Sequence, residues 1–470
     1  MKWTTKLASA LFVLGLIGIF GYYVAVPFLT ASRQVSTSDA AYAKGVIRVG
    51  KDNFIGYFPL CSTFMAELML ADGIQLKCLD DGADYAQRFM QFRDGELELA
   101  VATVDTYVLG GERVNYPGVI VSVLDESKGG DAIVANQNAV KSLTDLQQGR
   151  SVIKVAFTPD SPSHHLLKVV GRDFDIPIFL SKDPGWKIET KGSPEALTAL
   201  LSGKAQVAVL WEPDIAKALA KPGIIRLLGS EKTDKVIVDI LTANRDYNNR
   251  YPERVKLLLN NYFKTLKYYR DNPDKLRKDA AVYAKVPEDA VEQMLKGIAW
   301  ASLTDNATLW LGVPAQGQMP AYGLIDTIEK TVRILSDVGD VTGNPLPGAD
   351  PRSIINSTHV AALFAEGVIP SSNSANPFLP QQVVDPLAAA FSPLAEDSWR
   401  RLREVGTLRI PPLLFQSGTS TLTLEDEEQL DMAAEALKSY PYFRIEVDGH
   451  TRPGSDEAAN QTLSEERADA

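Results

Sequence analysis

Val46-Ile-Arg-Val49 running into Gly50-Lys-Asp-Asn-Phe-Ile-Gly-Tyr57, and Val152-Ile-Lys-Val155 running into Ala156-Phe-Thr-Pro-Asp-Ser-Pro-Ser163, are two copies of one pattern. Each is an apolar strand, then a polar loop, then a helix start. The second halves of the two units match as well. Gly95-Glu-Leu-Glu-Leu-Ala-Val101 ends at Thr103-Val-Asp-Thr106, and Gly203-Lys-Ala-Gln-Val-Ala-Val209 ends at Trp211-Glu-Pro-Asp214. The pattern predicts an α/β chain with two similar lobes, each presenting polar loops at the carboxyl ends of its strands. Open parallel sheets bind ligands at that edge. Two such edges facing each other make a cleft that closes on a small molecule.

The chain has 470 residues, too many for one core, so two or three domains are expected. A net charge of -11, with no dense Lys/Arg run, argues against a nucleic-acid partner. The two cysteines, Cys61 and Cys78, bracket the first helix of lobe one. They form a single bridge if the compartment oxidises, or remain two buried thiols.

Leu7 to Leu29 contains no charged side chain and follows Lys2 and Lys6. As a helix it would span roughly 34 Å, enough for a bilayer core. The rival reading, a signal peptide, calls for an apolar core of only about 7–15 residues. An uncleaved anchor with residues 1–6 in the cytoplasm and the body outside it is therefore expected. Residues 30–45 form a tether, 46–366 the bilobal domain and 367–398 a linker rich in Pro, Ser and Asn. Residues 399–470 form a separate unit whose last helix is still running at Ala470, so it reads as cut short. Within the bilobal domain, lobe one takes 46–128 and 234–366 and lobe two takes 129–233.

Several finer elements are expected. Asp125-Glu-Ser-Lys-Gly-Gly130 reads as the first crossing between lobes, and Val236–Leu241 as the strand returning to lobe one. Ser193 and Pro194 read as the start of a helix that Gly203 ends. Val255, Leu258, Leu259, Tyr262, Phe263 and Leu266 mark one face of an amphipathic helix after Pro252, and a further helix covers Val291 to Ile298. In the last unit, Thr423 with Asp426 opens a helix whose inner face is Leu430, Ala434 and Leu437; Tyr442–Val447 alternates as a strand.

The candidate cleft residues follow from the loops. Lobe one offers Asn53, Gly56 and Tyr57, then Thr103, Asp105, Thr106, Asp125 and Ser127. Lobe two offers Ser161, Ser163, His164, Trp211 and Glu212. Ser161 and Ser163 sit where a strand enters a helix, a place that favours an anion such as a sulfonate, carboxylate or nitrate. Trp211 and Tyr57 supply flat apolar walls, and Asp105 and Glu212 suit an amine, so the set fits an anion or a zwitterion. The bland alternative is that Asp105, Thr106 and Glu212 only cap helices. Among four histidines (His164, His165, His359 and His450) no metal-ligand spacing occurs, and there is no nucleophile elbow or phosphate loop. No catalytic residue, metal or cofactor is expected.

From about Val46 to Leu363 the chain resembles the periplasmic substrate-binding proteins of the nitrate/sulfonate/taurine ABC-transporter class. The resemblance is carried by Gly56-Tyr57 with Pro59, Val101–Thr106, Asp125–Ser127 with Asp131–Ala135, Ser161–His164 and Trp211–Pro213. It implies the two-lobe type II periplasmic-binding-protein fold, a small-molecule solute, and an ABC permease or a sensor as inner-membrane partner. From about Trp399 onward the chain resembles the OmpA-like peptidoglycan-binding domains, an α+β fold, through Gly449, His450, Thr451, Asn460, Leu463 with Ser464, and Arg467 with Ala468. In that family the arginine matching Arg467 binds a carboxylate of diaminopimelate in the peptide stem. The aspartate that usually follows Gly-His-Thr is Arg452 in this chain, and Asp456 stands nearby as its substitute. Together these readings predict an inner-membrane-anchored periplasmic solute receptor tethered to peptidoglycan. The alternative is a wall-tethered envelope sensor or scaffold with no transport role.

Overall fold

The computed structural model describes residues 44–147, 153–315, 319–367, 375–379, 394–402, 404–410, 412–452 and 456–470. The expected membrane segment 7–29, and nearly all of its tether, lie outside the described residues. Among the described residues no helix is long and apolar enough to cross a membrane.

Among the described residues eleven strands build two sheets. Lobe one begins with β1 (Gly45–Lys51), β2 (Ile74–Asp80), β3 (Leu99–Thr103) and β4 (Gly118–Ser127). Lobe two holds β5 (Asp131–Asn136), β6 (Val155–Phe157), β7 (Lys187–Glu189), β8 (Val207–Trp211) and β9 (Ile224–Gly229). The chain then returns to lobe one as β10 (Val238–Asn244) and β11 (Ile298–Trp300). The sheet orders are β11-β4-β10-β3-β1-β2 and β7-β6-β8-β5-β9.

The duplicated sequence pattern appears here as duplicated topology. β1 runs parallel to β2 and β3, as β6 runs parallel to β7 and β8. In each sheet the strand that has just crossed from the other lobe, β10 or β5, lies antiparallel to its neighbours. Every residue of β3, β4, β8 and β10 is buried, which is why these strands read as apolar runs without alternation. The helix Pro252–Asp271 covers lobe one with all six of its expected apolar residues buried, each contributing about 1.5–3 kcal/mol relative to exposure. Cys61 and Cys78 are joined as a disulfide, tying the entry of the helix Thr63–Ala71 to β2.

The crossing lies slightly later than the sequence predicts. Asp125, Glu126 and Ser127 continue β4, paired to Asp239 and Val238 of β10 or to β11, because their backbone groups find partners on both sides. The crossing itself is Lys128–Gly130, running beside the return segment around Ser230. Ser230 Oγ accepts from Gly129 N–H at 2.8 Å and pairs with Ser127 Oγ at 2.7 Å, so the two crossings are stitched together. Gly297 carries its carbonyl to the N–H groups of Lys128 and Gly130. A Cβ at Gly297 would sit 2.7 Å from backbone atoms of Gly129 and Gly130, so only glycine permits this approach.

Three other expectations shift. Ser193 is inside the helix Gly192–Leu201 and not its cap; its hydroxyl bonds the backbone of Trp211. The helix Glu288–Leu295 stops before Ile298, which opens β11. Ala375–Leu379, inside the expected linker, packs on lobe one, with the Asn376 amide donating to the carbonyls of Leu295 and Ile298.

In the C-terminal unit, Thr423 caps the helix Leu424–Leu437 through the backbone N–H of Asp426, as its sequence predicts. On that helix Asp426 and Ala433 are buried and Leu437 is half-buried, whereas Leu430 and Ala434 are exposed. Tyr442–Val447 forms no strand, and pairing there is limited to a bridge between Phe415 and Leu422. This unit docks on lobe two. Tyr440 is buried, donates to Asp173 at 2.8 Å and meets Phe174 edge-on at 5.2 Å.

Candidate functional site: an acidic interlobe cleft

Several contacts among the described residues join the two lobes. The Trp211 indole N–H donates to Asn53 Oδ1 at 3.0 Å, and Ile55 N–H donates to the carbonyl of Glu212 at 3.3 Å. Arg113 pairs with Asp160 at 2.7 Å, and Gly192 lies against the carbonyl of Gly82. Behind these contacts is a cavity of about 10 Å³, room for about one water. The lobes must part to admit any solute.

The cavity is lined from both lobes. Lobe one contributes Asp52, Phe54 and Tyr57 from the loop after β1, Tyr85, and Thr103 from the end of β3. Asp131, Pro162 and Trp211 come from lobe two, and Ile237 and Asp239 from the returning crossing. Sheet register explains the grouping. Asp239 pairs laterally with Thr103 on one side and Asp125 on the other, and Asp125 with Trp300; in lobe two, Asp131 pairs with Trp211.

The lining is acidic. Asp52, Asp131 and Asp239 each have 2% or less of their surface exposed. Arg88, fully buried, pairs with Asp52 at 3.2 Å and Asp81 at 2.6 Å and also donates to the carbonyl of Val101. Tyr85 donates to Asp52 at 3.1 Å, and Tyr57 makes a short hydrogen bond to Asp239. Burial, reinforced by their mutual repulsion, holds the Asp125 and Asp239 carboxyls well above the usual range. Burial also pushes Asp131 up to about 7, with Asp105, Asp52 and Glu212 adding to the shift, and Glu212 up to about 7. Oδ1 of Asp131 finds no hydrogen-bond donor among the described residues.

The predicted residues divide into three groups. Tyr57, Thr103 and Trp211 line the cavity. Asn53, Gly56, Asp105, Thr106, Asp125 and Glu212 surround it without lining it. Asn53 serves the interlobe bond, and Gly56 brings its carbonyl to the Trp300 indole at 2.8 Å. A Cβ on Gly56 would lie 2.7 Å from Asp125. Thr106 bonds Thr103 at 2.6 Å, Asp105 takes the Thr106 hydroxyl, and Glu212 caps the following helix by accepting from Ala216 N–H. The bond of Glu212 is the capping role that its position also permitted; that of Asp105 goes to a side chain and caps nothing.

Ser127, Ser161, Ser163 and His164 serve other ends. Ser127 belongs to the crossing. Ser161 Oγ accepts from Ser163 N–H and donates to the carbonyl of Thr158, and Ser163 Oγ donates to the carbonyl of Val209. At this helix start the Ser163 N–H is thus taken by the chain's own Ser161 hydroxyl. His164 packs on Phe157 at 4.8 Å with its pKa driven down to about 2 by burial. Its neighbour His165 is the ring buried within reach of the Asp105 charge.

Asp52, Tyr85, Asp131, Pro162, Ile237 and Asp239 were not picked out by the loop pattern. Asp239 had a visible signal, an acid in the apolar run Val236-Ile-Val-Asp-Ile-Leu241; Asp131, between Gly130 and Ala132, had a similar one. Among the described residues no cluster of His, Cys, Asp and Glu has the arrangement to hold a metal ion.

Apart from Asp456, the wall-binding candidates lie along the helix Glu457–Asp469, where the Gly449–Thr451 stretch runs beside it. Arg467 donates to the carbonyls of His450 at 2.9 Å and Thr419 at 3.0 Å and lies over the ring of Phe415. Thr451 donates to the carbonyl of Asn460, and Gly449 lies so close to Ser464 that no side chain fits between. Leu463 is half-buried on the helix Glu457–Asp469. Asp456 caps that helix by accepting from Ala459 N–H at 3.0 Å.

Residues 414–470 match the family model described as OmpA family. No curated protein matches the sequence. Among solved structures, the periplasmic aliphatic sulphonate binding protein SsuA of Escherichia coli is 15% identical with a TM-score of 0.50, covering 67% of this chain and 98% of that one. The ligand-binding component of an ABC-type import system from Staphylococcus aureus, solved with zinc, is 10% identical with a TM-score of 0.52 over 67% and 98%. The Candida albicans CA3427 gene product, described as having the generic periplasmic binding protein fold, is 12% identical with a TM-score of 0.52 over 67% and 96%. At such identities the likeness is one of fold. The chain joins a body with the periplasmic-binding-protein fold to a C-terminal OmpA-family domain.

Proposed function

We propose that this protein is a solute receptor of the periplasm, anchored in the inner membrane by residues 7–29 and tethered to peptidoglycan by its C-terminal domain, and that it is not an enzyme. The observation that carries this reading is the closed cleft, in which two lobes on paired crossings bury a polar, aromatic-walled cavity between them. Recognition follows from opening about Lys128–Gly130 and the Ser230 segment, entry of a small solute, and closure through the Trp211–Asn53 bond. An ABC permease is the partner that would take the solute from the closed form. In the wall-binding domain, Arg467 and Asp456 supply the cation and the carboxylate for the two ends of diaminopimelate.

A wall-tethered sensor is the second reading. It is favoured by the seat of the C-terminal unit, where Ser439 accepts from Asp234 N–H and the Tyr442 ring lies 5.9 Å from Lys128, both beside the crossings.

The full chain in mild detergent tests the receptor reading by thermal shift against small polar solutes. A solute at about a hundred times its Kd stabilises the closed form by about 2.7 kcal/mol. A clear rise in melting temperature with one solute class is expected; a flat response to every class contradicts it. Co-sedimentation with peptidoglycan, reduced for Arg467→Ala, checks the tether.

A further inference from the structure

We propose that the cleft selects a primary or secondary ammonium ion, with Asp131 as its direct acceptor, Asp52 and Asp239 as flanking charge, and the rings of Tyr57, Tyr85 and Trp211 as its walls. The proposal deepens the receptor reading and rests on it.

The donors of the cavity are already used. The Tyr57 hydroxyl goes to Asp239, that of Tyr85 to Asp52, and the Trp211 N–H to Asn53. No Lys or Arg lines the cavity, and the nearest guanidinium, Arg88, is divided among Asp52, Asp81 and the carbonyl of Val101. Against this, Asp131 is 2% exposed and its Oδ1 has no partner among the described residues. A buried carboxylate oxygen without a donor forfeits its hydration and gains nothing in return. Among the described residues Asp52 has Arg88 and Asp239 has Tyr57, so the unmet oxygen of Asp131 is what asks for a positive solute.

An anion finds nothing to hold it here. The hydroxyls of Ser161 and Ser163, at the neighbouring helix start, donate to backbone carbonyls and do not turn toward the cavity as donors. A bare metal ion is also a poor fit, because aromatic rings fill the wall positions that further oxygen ligands would need. An ammonium with at least one N–H satisfies Asp131 by a charge-assisted hydrogen bond and gains from the ring faces. A quaternary ammonium would gain only from the rings.

Calorimetric titration of the full chain with ethanolamine, putrescine, taurine, ethanesulfonate and calcium tests the proposal. Heat from ethanolamine or putrescine, with none from ethanesulfonate or calcium, is expected. Asp131→Asn should weaken that binding about tenfold or more, since a charged hydrogen bond becomes a neutral one. Its melting temperature should not fall, because a buried carboxylate oxygen with no donor is gone while the Ser127 hydroxyl keeps an acceptor. Ethanesulfonate or taurine binding while both amines stay silent would overturn the ammonium assignment and leave the receptor reading standing. Calcium binding alone, or Asp131→Asn binding amines as the unaltered chain does, would overturn it as well. Silence from all five removes the receptor reading with it. The panel on the unaltered chain decides the matter even where the variant fails to fold.

Discussion

At Asp131, burial moves the carboxyl up to about 7, and Glu212 is moved to about 7 for the same reason. Both folded values lie above the ordinary carboxylate range, so the folded chain holds protons that the unfolded chain has released. That contribution to stability is complete below about pH 4 and is lost as pH rises through about 7. The unliganded protein should therefore melt lower at pH 8 than at pH 5.5, as calorimetry would show. An ammonium solute displaces the Asp131 proton, so its affinity should rise by about tenfold between pH 6 and pH 8. A flat affinity over that interval would mean that the solute does not meet Asp131. Trp211→Phe, which keeps the ring and removes the N–H on Asn53, should weaken solute binding by about fivefold through loss of the interlobe bond. At this scale the sequence was partly legible. Tyr57, Thr103 and Trp211 were found because polar loops at strand ends announce themselves. Asp131 and Asp239 were hidden because they sit in strands, where an acid reads as an interruption and only sheet register shows which acids share a row.

Elements were easier to read where one periodicity decides them. The helix Pro252–Asp271 and the strands β1, β2 and β5 lie where apolar spacing puts them. Boundaries moved where tertiary pairing overrode local polarity: Asp125–Ser127 looks like a loop but is a strand because β10 and β11 complete its ladder. Two elements invite measurement. The Cys61–Cys78 bridge closes a loop at a separation of 17 residues. Replacing both cysteines with serine should cost about 3 kcal/mol in denaturant unfolding by loop-entropy reasoning, and a loss near zero would show that the bridge constrains little. Gly297→Ala should push the crossings apart, since its Cβ would meet the backbone of Gly129 and Gly130. The expected result is weaker solute binding with the C-terminal domain still docked, read by titration beside proteolysis.

On the scale of the whole molecule, the duplication seen in two short stretches of sequence extends to strand order, direction and the placing of the crossing strands in both sheets. What sequence spacing could not show is that the C-terminal unit rests on lobe two, through Tyr440 on Asp173 and Phe174 and Ser439 beside the return crossing. Tyr440→Ala should free that unit from lobe two, read as faster amide exchange around Phe174, with the lobes still folded. The central claim is that two lobes close on a solute. Nitroxides placed at Gln87 in lobe one and Thr198 in lobe two, both exposed, report their separation by pulsed electron resonance. A broad distance distribution is expected, which ethanolamine or putrescine narrows to its shortest component, with Asp131→Asn abolishing the change. A distribution that no solute alters, in a chain that still folds, would contradict the claim.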